Sequence, residues 1–449
     1  MSLTRELGEF CAALRYQHVP ATVLPFVRMG FTDCFATLAA GRTQAAVQML
    51  RRAIDPGPGP SRLLIDQGSA RAPDAACINA TAAHALDFDD AAQKGHISAV
   101  LVPAILAEAD GSGADGRAMV TAYAAGYETW AELFRREADL HHNHSWHPTG
   151  VFGAVAAAAA CARLRGLDAQ QATHALAIGA SQAGGLIASF GSMTKPYHAG
   201  RAAHAGVMAA RLAEQGFTGA SDALEHPKGL LKGISPAGRV DLISPAHAGR
   251  EWRLPKDGLN IKKYPTCFAT HRALDGILSL LDDHPIEPEQ VRQVRVTTSR
   301  RNKSTLRFDR PDDAMQAKFS MPFAMAAAIL TRRCSLLELS EDFLCRAGVP
   351  ALMQRVEVLP DDIEDPRRPG EAPEDVVEVE LHDGVVLRRA VDYARGGPER
   401  PLLPGELLGK FETCLAAGQL HCDARPLFQA LMAVDELPGT QLIYQLAGH

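Results

Sequence analysis

Apolar residues recur at helical spacing through residues 1–53, with Ala, Leu and Val returning every three or four positions. Phe31-Thr32-Asp33 offers a helix cap in front of Cys34-Phe35-Ala36-Thr37-Leu38. Asp55-Pro56-Gly57-Pro58-Gly59-Pro60 then breaks the pattern, because alternating proline and glycine do not sustain a helix. The helical period returns, Ala-rich, over residues 74–86, stops at a polar stretch over 87–98, and resumes over 99–109. A Gly-rich loop at 111–116 precedes a predicted helix over 117–138. The polar loop 139–148 leads into another, because Pro148 lacks only an N–H that is unpaired at a helix start anyway. That helix runs Ala-rich to about 164, and further helices are predicted over 169–188 and 200–215. So many small residues predict close helix–helix contacts in a large bundle.

From about residue 251 the period changes. Val291-Arg292-Gln293-Val294-Arg295-Val296-Thr297 alternates as a strand, as does Arg355-Val356-Glu357-Val358-Leu359. Val376 to Leu381, the turn His382-Asp383-Gly384 and Val385-Val386-Leu387 read as a hairpin, Asp-Gly being a strong turn signal. Helical stretches at 270–282 and 319–330 lie between them, and 360–375 reads as an acidic, Pro-rich surface loop. The chain is therefore mainly α with an α+β domain: helical over 1–254, α+β over 255–395, and helical again over 396–449.

Composition narrows the function classes. A chain of 449 residues has room for about two to three domains, and 47% apolar with 22% charged residues is the balance of a chain that buries large cores. A net charge of -6 leaves no basic excess to neutralise phosphates, which argues against nucleic acid as a partner. The longest apolar run, 151–162, falls short of the roughly 20 residues of a membrane helix. The first residues mix both charge signs without the apolar stretch of a signal peptide, so a cytoplasmic protein with no membrane partner is expected. Nine cysteines stand singly with no Cys-x-x-Cys, against a disulfide framework, a zinc ribbon or an iron–sulfur cluster.

Candidate chemistry lies in a few polar segments. His141, His142, His144 and His147 invite a zinc reading, but no His-Glu-x-x-His pattern exists and no metal site is expected. His141, His142 and His144 read as a solvated loop, whereas His147 stands directly before a helix start. Asp87-Phe88-Asp89-Asp90, followed by His96, places three carboxylates in four residues. Such a set repels itself unless solvent, a helix N-terminus or a histidine relieves it. Paired with a histidine, one of these acids sets it up for proton transfer. Lys195, held by Pro196 at a helix entrance, is placed to bind a carboxylate, and Lys262 before Tyr264-Pro265 has the same character. No phosphate loop, Gly-x-Ser-x-Gly or Gly-x-Gly-x-x-Gly after a strand is present.

Several segments together resemble the MmgE/PrpD family, whose members include 2-methylcitrate dehydratase, cis-aconitate decarboxylase and iminodisuccinate epimerase. The matching stretches are AAHALDFDD (82–90), GHISAVLVPAILA (95–107), AAGYE (124–128), WHPTGVFGAVAAAAACARLRGLD (146–168), the run from 180 to 219 around MTKPYHAGRAA, IKKYPTCFATHRALDG (261–276) and KFSMPFAMAAAIL (318–330). They keep the family's order and specify the family rather than one activity within it. The resemblance implies a large all-helical domain built from both chain ends and a smaller α+β lid, with the active site between them. It also implies a homodimer with no metal or organic cofactor, acting on small di- or tricarboxylates.

Carried over position by position, the resemblance makes Asp87, His96, His147, Lys195 and Lys262 the candidate catalytic residues, with Arg201, His198 and Tyr264 as substrate-binding candidates. In the decarboxylase a threonine stands four residues after the aspartate and a histidine just after the proline of the lid motif. Here those positions are Ala91 and Cys267, and the loop to His96 is one residue shorter. The chemistry asked of these residues is coherent. An enolate or carbanion next to a carboxylate needs cations to hold its oxygens and a histidine to move a proton. The expectation is a dehydratase-like lyase or an epimerase-like isomerase. A decarboxylase is the alternative, and a non-catalytic carboxylate-binding scaffold is the alternative of another class.

Overall fold

The computed structural model of the protein describes residues 2–139, 141, 144–368 and 370–448. The chain divides into two compact units: Met1–Ser189, Met193–Asn260 and Leu403–His449 form one, and Phe190–Ser192 with Ile261–Leu402 the other.

The first unit is helical, as its 3.6-residue apolar period requires. Its main helices are α1 (Leu3–Ala13), α2 (Leu24–Gly41), α3 (Ala45–Ile54), α4 (Ala72–His84), α5 (Ile97–Ser112), α6 (Gly116–Arg136), α7 (Pro148–Leu164), α8 (Ala169–Ala180) and α9 (Thr194–Glu214). The cap expected at Phe31-Thr32-Asp33 does not form. Those residues are buried inside α2, which starts earlier at a turn containing Pro25. Helix α8 stops at Ala180 and α9 begins at Thr194 rather than near 200, which puts Lys195 and His198 on the first two turns of a helix. Between α3 and α4, β1 (Ser61–Arg62) and β2 (Ser69–Ala70) form a short antiparallel ribbon.

Small residues let the central helices approach closely. A Cβ on Gly206 of α9 would lie 2.3 Å from the Ala157 Cβ of α7, and one on Gly200 would lie 2.1 Å from Thr81 Oγ1 of α4. Side chains at either position would push the helices apart, an overpacking that costs about 1–3 kcal/mol. The helix Pro404–Ala417 packs on α2 and so brings the end of the chain back to its beginning.

The second unit holds a four-stranded mixed sheet of β3 (Val291–Ser299), β4 (Val356–Asp361), β5 (Asp375–Leu381) and β6 (Val386–Val391), in the order β4-β3-β5-β6. The β3–β4 pair is parallel, with Val294 opposite Val356, and the other two pairs are antiparallel. Val291, Val294, Val296, Val377 and Val379 share a core with Leu274, Ile277 and Phe323 of the helices His271–Asp283 and Met321–Thr331. Phe190, from the stretch between α8 and α9, packs its ring 5.6 Å from that of Phe319, and Arg307 donates to its carbonyl at 2.6 Å.

All nine thiols are free: six are buried, Cys267 and Cys422 are half-buried, and Cys345 is exposed. Among the described residues no helix is long and apolar enough to cross a membrane.

Candidate active site

The acidic stretch turns sharply after α4. Asp87 adopts φ +53°, a left-handed backbone that side chains rarely take. Ala91 and Asn260 exchange two backbone hydrogen bonds of 3.0 and 2.9 Å, fixing the next stretch. Gln93 and Lys94, both at positive φ, then form a two-residue turn closed by reciprocal 2.9 Å bonds between Ala92 and Gly95. Gly95 is needed there, because a Cβ would lie 2.3 Å from the Trp130 ring. His96 follows as the residue that starts α5, and its backbone N–H donates to Thr149 Oγ1 at 3.1 Å. His147 starts α7 with its N–H on the Gly185 carbonyl at 2.9 Å, and Lys195 stands in the first turn of α9. Three helix N-termini therefore deliver His96, His147 and Lys195, and each end favours negative charge nearby.

The side chains meet in a closed circuit. Asp89 Oδ1 lies 2.9 Å from His84 Nδ1, His84 Nε2 lies 3.0 Å from Lys195 Nζ, and Lys195 Nζ lies 2.9 Å from Asp87 Oδ1. His96 Nε2 lies 3.4 Å from the same Asp87 oxygen, and His96 Nδ1 returns to Asp89 Oδ2 at 2.9 Å. The His84 and His96 rings are 4.1 Å apart, and the His147 ring lies 6.0 and 6.2 Å from them. His147 Nδ1 is 3.0 Å from His198 Nδ1, so one of those two rings donates to the other.

Burial and neighbours set the charges. Burial holds the His84 imidazole down at about 3 against the pull of Asp89, with Lys195 and His96 adding to the effect. Burial, then the Lys195 charge, keeps His147 well below the ordinary histidine range and brings His198 to about 4. Burial pushes the Asp89 carboxyl up, but His84 and His96 beside it bring it well below the usual carboxylate range. Imidazoles held below their ordinary range, a depressed carboxyl and a lysine thus share one buried cluster.

Asp90 points the other way. Ser98 Oγ donates to its Oδ2 at 2.9 Å, and Ser98 Oγ is itself 2.7 Å from the Tyr123 hydroxyl. Burial, with the charges of Asp33 and Asp89, raises the Asp90 carboxyl well above its ordinary range. Lys410, on the returning helix Pro404–Ala417, is the cation here. Its Nζ lies 2.5 Å from Asp33 Oδ1, donates to the Phe88 carbonyl at 2.7 Å and sits 4.1 Å above the Phe88 ring.

Asp87, His96, His147, Lys195 and His198 are thus brought together within the first unit. Arg201 is exposed on α9, where its charge acts on Cys77, Tyr197 and His204. Lys262 and Tyr264 are buried in the second unit, and the Tyr264 hydroxyl donates to Asp275 at 2.7 Å. The solvated reading of His141 is corrected: it is buried, its Nδ1 lies 2.7 Å from Glu137 Oε2, and its ring stands edge-on to Phe152 at 4.7 Å. His144 is exposed, and His142 lies outside the described residues. Asp89 is one of the three acids among which the sequence does not choose a histidine partner, and His84 is the member of the circuit that the sequence reading does not single out. The available signal was a histidine on the last turn of α4, just upstream of the acidic stretch.

The ligand atoms of His84, His96 and His147 lie within 4.8 Å of one another, a spacing that suits a divalent ion. The cation among them is Lys195, so an ion bonding His84 Nε2 would have to displace an ammonium 3.0 Å from it.

The MmgE/PrpD N-terminal domain family matches residues 5–242 and the MmgE/PrpD C-terminal domain family matches 264–426. The second match runs beyond Leu402, the end of the second unit, into the returning helix. The chain is 28% identical over 361 residues to the cis-aconitate decarboxylase of Homo sapiens, covering 75% of this chain and 71% of that protein. The Mus musculus cis-aconitate decarboxylase is 27% identical over 384 residues, covering 81% and 75%. That of Aspergillus terreus is 24% identical over 474 residues of alignment, covering 99% and 95%.

Proposed function

The chain belongs to the MmgE/PrpD family, and from that premise we propose that it is a lyase-type enzyme acting on a small di- or tricarboxylate. It moves a proton on a carbon next to a carboxylate and needs no metal or organic cofactor. The observation that carries this reading is Lys195, an ammonium buried between Asp87 and His84 with the neutral His147 nearby. A carboxylate next to a forming carbanion gains negative charge, and a fixed ammonium at a low-dielectric site stabilises it more than water does. His147, held neutral, takes the proton. His96, with a carboxylate oxygen near each ring nitrogen, is the proton donor.

These steps fit dehydration, in which His147 takes the carbon-bound proton and His96 protonates the departing hydroxyl as water. They also fit epimerisation, in which His96 returns a proton to the opposite face. The absence of threonine at Ala91 and of histidine at Cys267 favours these two reactions. Decarboxylation is the second reading, supported by relatives that carry that name. In it the carbon–carbon bond breaks, CO2 leaves, and a histidine protonates the carbanion that remains. The assembly expected with any of them is a homodimer, which light scattering on the purified protein checks.

The test incubates the protein in D2O with 2-methylcitrate, cis-aconitate, citrate or iminodisuccinate and follows the carbon-bound protons by NMR. Deuterium entering one substrate, with a new double bond or an inverted centre, is the expected result. CO2 release from cis-aconitate would select the second reading. Binding without exchange or turnover would leave a carboxylate-binding scaffold and overturn the enzyme reading.

A further inference from the structure

Asp89 has none of its surface exposed, and its two oxygens serve two imidazoles at once, His84 Nδ1 and His96 Nδ1, both at 2.9 Å. An ionised carboxylate only accepts hydrogen bonds, so each Nδ1 must carry a hydrogen. The His96 Nδ1 also lies 3.0 Å from the Asp90 carbonyl, another acceptor, which selects the same form. Lys195 has donors and no acceptor, and its Nζ is 3.0 Å from His84 Nε2, so that nitrogen must be a bare lone pair. Two independent neighbours thus fix one tautomer of His84, protonated on Nδ1 and open on Nε2.

We propose that His84 and Asp89 are a buried positioning pair: His84 Nε2 aims the Lys195 ammonium, and Asp89 holds His96 with hydrogen on Nδ1, so that Nε2 is the nitrogen that exchanges protons. Neither residue touches substrate; each acts through another. The inference rests on the reading above in one respect, that Lys195 and His96 serve the reaction. Geometry carries it, and the charge environment agrees. The groups facing His84 are Asp89 and Asp87 from the acidic stretch, His96 at the start of α5, His147 at the start of α7 and Lys195 in α9. Burial keeps its ring neutral throughout the range in which ordinary histidines titrate. The arrangement follows the rule that an orienting partner on one ring nitrogen decides what the other can do.

The test needs no substrate in its first arm. In 15N-labelled wild-type protein, His84 is expected to show a protonated Nδ1 and an unprotonated Nε2 from pH 5 to 8. A ring that titrates in that range, or one protonated on Nε2, overturns the proposal. The second arm uses the substrate found by the exchange experiment. His84→Asn keeps an amide donor near the Nδ1 position for Asp89 but removes the acceptor for Lys195, whereas His84→Gln places an amide oxygen near Nε2. The expectation is that kcat falls about 10²-fold in His84→Asn, a loss typical of a misplaced reacting group, and is partly rescued in His84→Gln. In Asp89→Asn the pH profile of kcat is expected to shift. Folded His84→Asn protein with wild-type kcat and KM would make the pair merely structural and defeat the proposal. If no polycarboxylate exchanges deuterium while the NMR arm gives the expected tautomer, the functional reading fails and the tautomer assignment stands.

Discussion

Asp89 and Asp90 are adjacent in sequence and equally removed from water, yet their carboxyls are shifted in opposite directions. Asp89 faces two imidazoles, on the side where Lys195 and Asp87 stand. Asp90 faces Ser98 and the neighbouring carboxyls Asp33 and Asp89, with Lys410 nearer to Asp33 than to it. Burial acts on both in the same direction, so the partners decide. Imidazole donors pull a buried carboxyl down, and neighbouring carboxyls push one up. The acidic stretch therefore has two sides: a front of imidazoles and Lys195, and a back where carboxyls crowd together beside Lys410.

Removing the front cation should have the largest effect. Lys195→Ala is expected to lower turnover by about 10²–10⁴-fold and to destabilise the fold by about 3–5 kcal/mol, because Asp87 is left buried without it. Lys410→Ala at the back should lower stability by a similar amount and leave more of the turnover per folded molecule, which kinetics beside denaturant unfolding will show. Equal loss of turnover in the two variants would erase the distinction between front and back.

His147→Ala should lower turnover by about 10²–10⁴-fold while the fold persists, as circular dichroism checks. Near-wild-type turnover in this variant would remove His147 from the site.

The two sides also respond oppositely to pH. At the front His84 is held at about 3 and His198 at about 4, with His147 also depressed. The unfolded chain therefore binds more protons from about pH 6.5 downward, and stability falls with acid across that window. Asp89, also depressed, adds to the loss below about pH 4. At the back the raised Asp90 makes the folded state bind the extra proton, so stability falls as pH rises above about 3.9, by up to about 1.4 kcal/mol per pH unit while it titrates. Asp90→Asn should flatten that decline in thermal unfolding measured from pH 5 to 9, and an unchanged slope would contradict the assignment.

The smallest contrast lies in the histidine-rich loop. His141→Ala should destabilise by about 1–3 kcal/mol, because Glu137 loses a buried partner. Exposed His144→Ala should stay within about 0.5 kcal/mol.

The helices were legible where alanine and leucine repeat at one period, and the sheet where valine alternates. What escaped reading depends on distant partners. Thr32-Asp33 looks like a helix cap, but Asp33 is buried because Lys410 arrives from the far end of the chain to meet it. The helix beyond Lys195 reads as starting near residue 200, yet α9 already begins at Thr194, because the proline at 196 is tolerated in a first turn, where no N–H bond is lost. Asp87, His96, His147 and Lys195 were found through the family's motifs. His84 was not, because only the fold shows that its two nitrogens face an acid and a lysine. His141 was misread for the same reason: its partners Glu137 and Phe152 are set by helix packing rather than by the run of histidines.

The nine free thiols make the molecule its own depth gauge. Cys345 lies at the surface, Cys267 and Cys422 part-way in, and the rest inside the cores. Cys34 is buried beside Asp33, in the field of Asp89 and Asp90, and burial keeps its thiol protonated. A thiol-reactive dye should therefore mark Cys345 first and reach Cys34 only when the packing beneath the acidic stretch opens. Cysteine-by-cysteine labelling rates then form a clock that ranks which layers of the protein breathe, and a carboxylate that binds at Lys195 should slow the innermost of them.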